Sequence, residues 1–284
     1  MQEVKLYEKV GDKLKCRLCP HGCLLKPQQT GICLARKNSG EKIVSLNYGK
    51  ITSLALDPIE KKPFKRFMPG SVILSAGSFG CNFKCEFCQN YEISQQEADF
   101  RILSPQQLAD IALSMVKDGN IGIAFTYNEP LIWYEFVYDC SKINKEQGLK
   151  NVLVTNGYIN KEPMEALLPF IDAMNIDLKS FEPKFYRDIC KGSLAPVMNT
   201  IEMCAKSCHV EVTTLIISGY NDSDEQIASL SEWLAALSPE LPLHLTAYHP
   251  DYRMEIPPQT SRERLYELAD VAKTSLHYVY CGNC

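Results

Sequence analysis

Cys81-Asn82-Phe83-Lys84-Cys85-Glu86-Phe87-Cys88 decides how this chain is read. Three cysteines are separated by three and then two residues, in a segment that also holds Gly77, Gly80, Gln89 and Asn90. Glycine bends the backbone without a Cβ penalty, so the segment can curl until its thiols converge. Thiolates are soft ligands that suit zinc or iron–sulfur clusters. A closed structural zinc site takes four protein ligands. Three ligands leave one corner of a metal centre open for chemistry. A zinc knuckle and chance clustering in a cysteine-rich chain are the plain alternatives.

Composition sets the surroundings. The 284 residues are 45% hydrophobic with a net charge of −4, enough for one large domain and an appendage. Nothing in that charge suggests a nucleic-acid partner, and no basic run suggests an anionic membrane surface. No apolar run reaches the length of a membrane span. Met1-Gln2-Glu3-Val4-Lys5-Leu6-Tyr7 lacks a signal-peptide core. The expectation is a cytoplasmic protein, where 13 cysteines stay reduced and clustered ones read as metal ligands before disulfides.

Residues 1–70 read as a separate cysteine-rich cap. Cys16, Cys19, Cys23 and Cys33, with Pro20, Gly22 and Gly31 among them, have metal-ligand spacing. His21 is a possible substitute ligand; four free cysteines in a loop-rich cap is the alternative. The metal would be zinc or a second iron–sulfur cluster. Lys42–Leu46 and Ile51–Leu56, around Asn47-Tyr48-Gly49-Lys50, predict a β-hairpin. Asp57-Pro58-Ile59-Glu60-Lys61-Lys62-Pro63 then reads as a proline-punctuated linker.

Residues 71–284 alternate between strand-like and helix-like stretches. Six strands are expected, at Val72–Ala76, Ile121–Tyr127, Val152–Thr155, Ala173–Leu178, Val210–Ile217 and Leu241–Tyr248, with a seventh candidate at His277–Tyr280. Ser104-Pro105 opens a helix, serine as cap and proline in the first turn. Trp133, Phe136, Val137 and Cys140 stripe the next helix as core. Strict alternation implies a parallel sheet. Six repeats predict an α/β fold, a partial (β/α)6 TIM-like barrel rather than a closed eight-fold one. No glycine-rich phosphate loop is present.

In such barrels, sites form where strands end. The exits read Thr126-Tyr127-Asn128-Glu129-Pro130, Thr155-Asn156-Gly157-Tyr158, Asn175-Ile176-Asp177-Leu178-Lys179, Gly219-Tyr220-Asn221-Asp222 and Tyr248-His249-Pro250-Asp251. Turn preference explains part of this polarity, but not its recurrence at every exit. His249 stands beside another polar residue at its exit; His209, His244 and His277 read as structural. Cys140, Cys190, Cys204 and Cys208 read as helix or core cysteines. Cys281 and Cys284 read as free thiols near the site mouth or as ligands shared with the cap.

The CxxxCxxC spacing of Cys81, Cys85 and Cys88 resembles the signature of the radical S-adenosylmethionine (SAM) family. That resemblance implies a 4Fe–4S cluster on the three cysteines, with SAM on the fourth iron. Phe87 matches the aromatic position beside the adenine. Tyr127-Asn128-Glu129 sits where the activating-enzyme branch carries Gly-Gly-Glu, which implies that Glu129, with Asn128, takes the SAM amino group. Thr155 and Asn156 resemble its ribose and carboxylate contacts. Asp177 and Lys179 resemble its Asp-x-Lys motif, the lysine approaching the SAM carboxylate. Asn221 and His249 are carried as further cofactor contacts.

A finer likeness is to the AmmeMemoRadiSam radical SAM enzymes, which are similar to pyruvate formate-lyase activating enzyme. It rests on Cys16-Arg17-Leu18-Cys19-Pro20-His21-Gly22-Cys23, on residues 57–63 and 81–90, and on Leu243-His244-Leu245-Thr246-Ala247-Tyr248-His249-Pro250-Asp251-Tyr252-Arg253-Met254. It implies reductive cleavage of SAM to a 5′-deoxyadenosyl radical, which takes hydrogen from a substrate the sequence does not name. It also implies a low-potential donor of flavodoxin or ferredoxin type, and Memo-like and AMMECR-like partner proteins. Activation of a glycyl radical enzyme is the competing activity. A non-catalytic iron–sulfur electron-transfer protein is the competitor from another class.

Overall fold

The computed structural model describes residues 2–284. Its centre is one eight-stranded sheet. In chain order the strands are β1 (Ser53–Pro58), β2 (Val72–Gly77), β3 (Asn120–Phe125), β4 (Lys150–Thr155), β5 (Ala173–Asp177), β6 (His209–Ile216), β7 (Leu243–Ala247) and β8 (Val279–Gly282). They lie side by side in that order. β1 runs antiparallel to β2, and every other neighbouring pair is parallel. No pairing among the described residues joins β8 to β1, so the barrel stays open.

The expected α/β partial barrel is what the chain forms, with one more parallel strand than the six repeats. Helices fill the crossovers and cover the strands, as parallel sheets require. The helix at Pro105–Ser114 has the expected start. Ser104 accepts from the Gln107 N–H while the Gln107 side chain accepts from the Ser104 N–H, a reciprocal cap. Trp133 and Phe136 stack with centroids 4.4 Å apart, core residues as expected.

The expected hairpin around Asn47–Lys50 does not form. Ile43–Ser45 pairs instead with Gln2–Glu3 and Arg36–Asn38, and Lys50–Ile51 pairs with Arg101–Ile102. The following run is β1, held by six residue pairs to β2. Asn47 explains the divergence. It is buried, accepts from the Ser45 hydroxyl and donates to the Phe79 carbonyl, so the turn folds inward. The hairpins the cap does contain join Tyr7–Val10 to Lys13–Cys16 and Arg36–Asn38 to Ile43–Ser45. Because β1 lies before residue 70, the expected division into 1–70 and 71–284 runs through one sheet.

At the end of the barrel where the parallel strands begin, a segment of the former linker closes the floor. Asn175 donates to the Pro63 carbonyl. Glu211, fully buried in β6, accepts from the backbone N–H groups of Lys65 and Arg66 and bonds both His209 and His244. No helix among the described residues is long and apolar enough to cross a membrane.

Candidate functional site

The cysteine segment follows β2 at the end of the barrel where the parallel strands finish. Cys81, Cys85 and Cys88 all face one cavity of about 540 Å³ that runs from this loop to Lys65 and His244 near the floor. That size suits a small-molecule ligand. The thiols meet donors suited to thiolates. Cys81 Sγ lies 3.3 Å from the Phe83 N–H and 3.6 Å from Asn156 Nδ2, and Cys88 Sγ lies 3.1 Å from the Ser94 hydroxyl. Burial raises the Cys81 and Cys88 thiols above their ordinary range.

The strand exits arrive at the same cavity because parallel strands finish on one side. Glu129 is only 3% exposed and lines the cavity. Its Oε1 accepts from the Thr155 hydroxyl at 2.6 Å and the Leu131 N–H at 2.9 Å, and its Oε2 from the Asn156 N–H at 2.8 Å. A carboxylate offers about four acceptor positions, so one is left over on Oε2. Burial pushes this carboxyl up to about 7, against the pull of those donors.

Asp177 and Lys179 line the same cavity and form an ion pair at 2.9 Å. Burial works against the Lys179 charge, but Asp177 and the nearby thiols outweigh it and hold the ammonium well above its usual range. Lys179 Nζ stands 5.7 Å from the ring centroid of Phe87, which also lines the cavity.

The other expected contacts divide. Asn128, Thr155 and Asn156 line the cavity, but their polar atoms are engaged in holding the site. Asn128 clamps the cysteine segment, accepting from the Ser78 N–H and donating to the Gly80 carbonyl. Asn156 donates to Asn82 and accepts from the Tyr158 N–H. Asn221 lies outside the cavity; its amide donates to the carbonyls of Lys179 and Leu215 and accepts from the Ile217 N–H, so it positions backbone. His249 touches Gln89 beside the third cysteine at 3.0 Å and remains exposed.

Tyr127 holds a left-handed backbone, φ 73°, at the place where the resembled branch carries glycine. Such a conformation costs a side-chain residue about 1–2 kcal/mol. The phenol anchors it, donating to Asp57 at 2.8 Å, while the Lys62 ammonium sits 4.5 Å from the ring centroid.

One residue read as inert joins the site. A single π-helical turn at Tyr186–Cys190 brings the Cys190 thiol beside Cys85, and that neighbour, with burial, raises Cys85 well above its ordinary range. No local pattern in the sequence marks Cys190. In the cap, Cys16, Cys19, Cys23 and Cys33 surround one enclosed space. Cys281, on β8, lines the barrel cavity with its thiol directed at the Leu265 carbonyl and does not join the cap cysteines.

The donor set fits the groups the sequence implied. Three thiols with N–H and O–H donors leave a fourth corner open toward the cavity, with a spare carboxylate acceptor and an ammonium beside it. No three His, Cys, Asp or Glu side chains among the described residues stand at the spacing of a single ion's ligands.

Over its whole length the chain is 41% identical to an uncharacterized protein of Methanocaldococcus jannaschii, of which it covers 85%. A putative glycyl-radical enzyme activating enzyme of the same organism is 27% identical over 180 residues, 60% of this chain and 65% of that protein. Among solved structures, a radical SAM methyltransferase from Sphaerobacter thermophilus shares the fold, with a TM-score of 0.59 at 16% identity, over 99% of this chain and 75% of the other. Residues 77–234, more than half of the sequence, match the profile of the radical SAM superfamily. By that match and by the convergence of its three cysteines with Glu129 and Lys179, the chain belongs to the radical SAM superfamily.

Proposed function

We propose that Cys81, Cys85 and Cys88 hold a 4Fe–4S cluster and that SAM binds over it in the barrel cavity. When bound, the two groups supply reductive cleavage of SAM to methionine and a 5′-deoxyadenosyl radical that takes a hydrogen atom from substrate. The protein's part is binding, orientation and exclusion of water. The remaining acceptor on Glu129 takes the SAM ammonium, a charge-assisted bond. Lys179, kept charged by Asp177, takes the SAM carboxylate, and Phe87 packs against the adenine. Asn128, Thr155, Asn156 and Asn221 hold these groups in place through the bonds described above. His249 and Gln89 stand at the rim of the same site.

The observation that carries this reading is one cavity lined by three thiols, a buried carboxylate with an acceptor to spare and a buried ammonium. It sets aside a non-catalytic electron carrier, which needs no such pocket, and members of the superfamily are enzymes. The substrate sits below SAM, toward Thr213 and His244. Activation of a glycyl radical enzyme is the second reading, supported by the likeness to the putative activating enzyme. The finer resemblance supports a donor of flavodoxin or ferredoxin type and Memo-like and AMMECR-like partners, and the spacing of the cap cysteines supports a second metal there.

The test is anaerobic reconstitution with iron and sulfide, then reduction in the presence of SAM. The wild-type chain should release 5′-deoxyadenosine, and Cys81→Ala should release none. Glu129→Gln should bind SAM at least tenfold more weakly, since a hydrogen bond to a charged group contributes about 1.5–3 kcal/mol. Undiminished SAM affinity in that variant refutes the assignment of Glu129. A glycyl electron-paramagnetic signal on a co-incubated partner would favour the second reading.

A further inference from the structure

The cap carries a second site built apart from the barrel cavity. Cys16 ends one strand of the Tyr7–Cys16 hairpin, and its N–H donates to the Cys23 carbonyl at 2.9 Å. A tight turn between them bonds the Gly22 N–H to the Cys19 carbonyl. Leu34, left-handed at φ 64°, turns the chain so that Cys33 faces the other three.

Arg36 is the second, independent observation. It is only 1% exposed and lines the space between the cysteines. Its Nη2 binds both oxygens of Glu135, at 2.9 and 2.7 Å. Its Nε and Nη1 have no hydrogen-bond partner. A buried guanidinium with unmet donors costs about 1–3 kcal/mol per group, so these N–H groups are aimed at something anionic. Four thiolates around one divalent cation carry a net charge of −2 and accept hydrogen bonds readily, and Arg36, its charge met by Glu135, has two N–H groups left to donate.

We propose that Cys16, Cys19, Cys23 and Cys33 bind one tetrahedral divalent ion, zinc by preference, with the free N–H groups of buried Arg36 as hydrogen-bond donors to its thiolates. The space the four cysteines line is narrow, with about 10 Å³ of room for the centre of a water-sized sphere. Four thiolates close the coordination of zinc and leave no position for substrate. The thiols stand wider apart than the ligands of a single ion. Metal binding closes them, because deprotonation of the ligands and closure of the site are coupled to it.

The site also reaches the main cysteine segment. An added Cβ on Gly80 would lie 2.4 Å from the Cys33 carbonyl oxygen. His21 bonds the Asn82 carbonyl at 2.8 Å. The cap metal therefore braces residues 80–82 at the start of the CxxxCxxC segment.

The test separates this site from the radical chemistry. The full chain with Cys81, Cys85 and Cys88 all changed to alanine cannot hold the main cluster. It should retain one zinc, or one iron without sulfide, per chain, and four of its thiols should resist modification until a chelator is added. Adding Cys19→Ser should remove that metal. The double variant Arg36→Met with Glu135→Leu, which replaces a buried ion pair by apolar side chains and so preserves the fold, should hold zinc at least tenfold more weakly. Absence of metal from the triple variant, or four irons with four sulfides in it, overturns the proposal. Unchanged zinc affinity in the double variant overturns the role of Arg36.

Discussion

Replacing Glu211 with glutamine tests how the barrel floor is held. The carboxylate is fully buried and accepts hydrogen bonds from two backbone N–H groups and two histidines. Burial raises its proton affinity, but these donors more than reverse that and bring the carboxyl from 4.5 down to about 2. Each pH unit of that displacement is worth about 1.4 kcal/mol, so the ionised form stabilises the fold by roughly 3 kcal/mol. The folded-state value lies below the unfolded one. The contribution is therefore complete above about pH 4.5 and is lost as pH falls toward 2. Glu211→Gln should lower stability at pH 7 by about 3 kcal/mol, since its amide turns a donor toward donors. Urea denaturation of the cluster-free chain at several pH values reads this directly. The gap between wild type and variant should be constant from pH 7 down to about 5 and narrow steeply below 4. A gap under about 1 kcal/mol at pH 7, or one that does not narrow, would refute the reasoning.

Two further substitutions probe the approach of the cap to the site. Gly80→Ala should cost about 2 kcal/mol or more, because φ is +90° and the new Cβ meets the backbone oxygen of Cys33; iron uptake on Cys81, Cys85 and Cys88 should fall with it, and wild-type stability and iron content would show that the contact gives way freely. Tyr127→Phe removes the donor to Asp57, whose carboxyl is held down at about 2 by Lys62 and Tyr127 against its burial. The loss should be about 1 kcal/mol in urea denaturation, with SAM affinity unchanged. A large loss of SAM affinity instead would place the phenol in the site.

Three cysteines spaced three and two residues apart are a local pattern, and local patterns survive folding. Cys81, Cys85 and Cys88 were therefore legible in the sequence. So was the alternation of strand and helix, because burial on both faces demands apolar strands and short polar exits. Once the strands are parallel, every exit lies at one end, and Glu129, Asp177 and Lys179 are brought together by topology alone. The sequence could not say which polar atoms remain free for a ligand. Asn221 and Asn128 have residue types and positions suited to ligand contacts, yet backbone groups, those of Lys179 for Asn221 and of Ser78 and Gly80 for Asn128 among them, occupy their amides. Nor could it show that Asn47 would fold inward and send two strand-like runs to different partners. Cys190 reaches Cys85, and Arg36 reaches the four cap cysteines with two donors unmet, only through packing between distant segments. Periodicity records which face of an element is buried. What a buried polar atom meets there depends on elements elsewhere in the chain, so only the tertiary structure decides it.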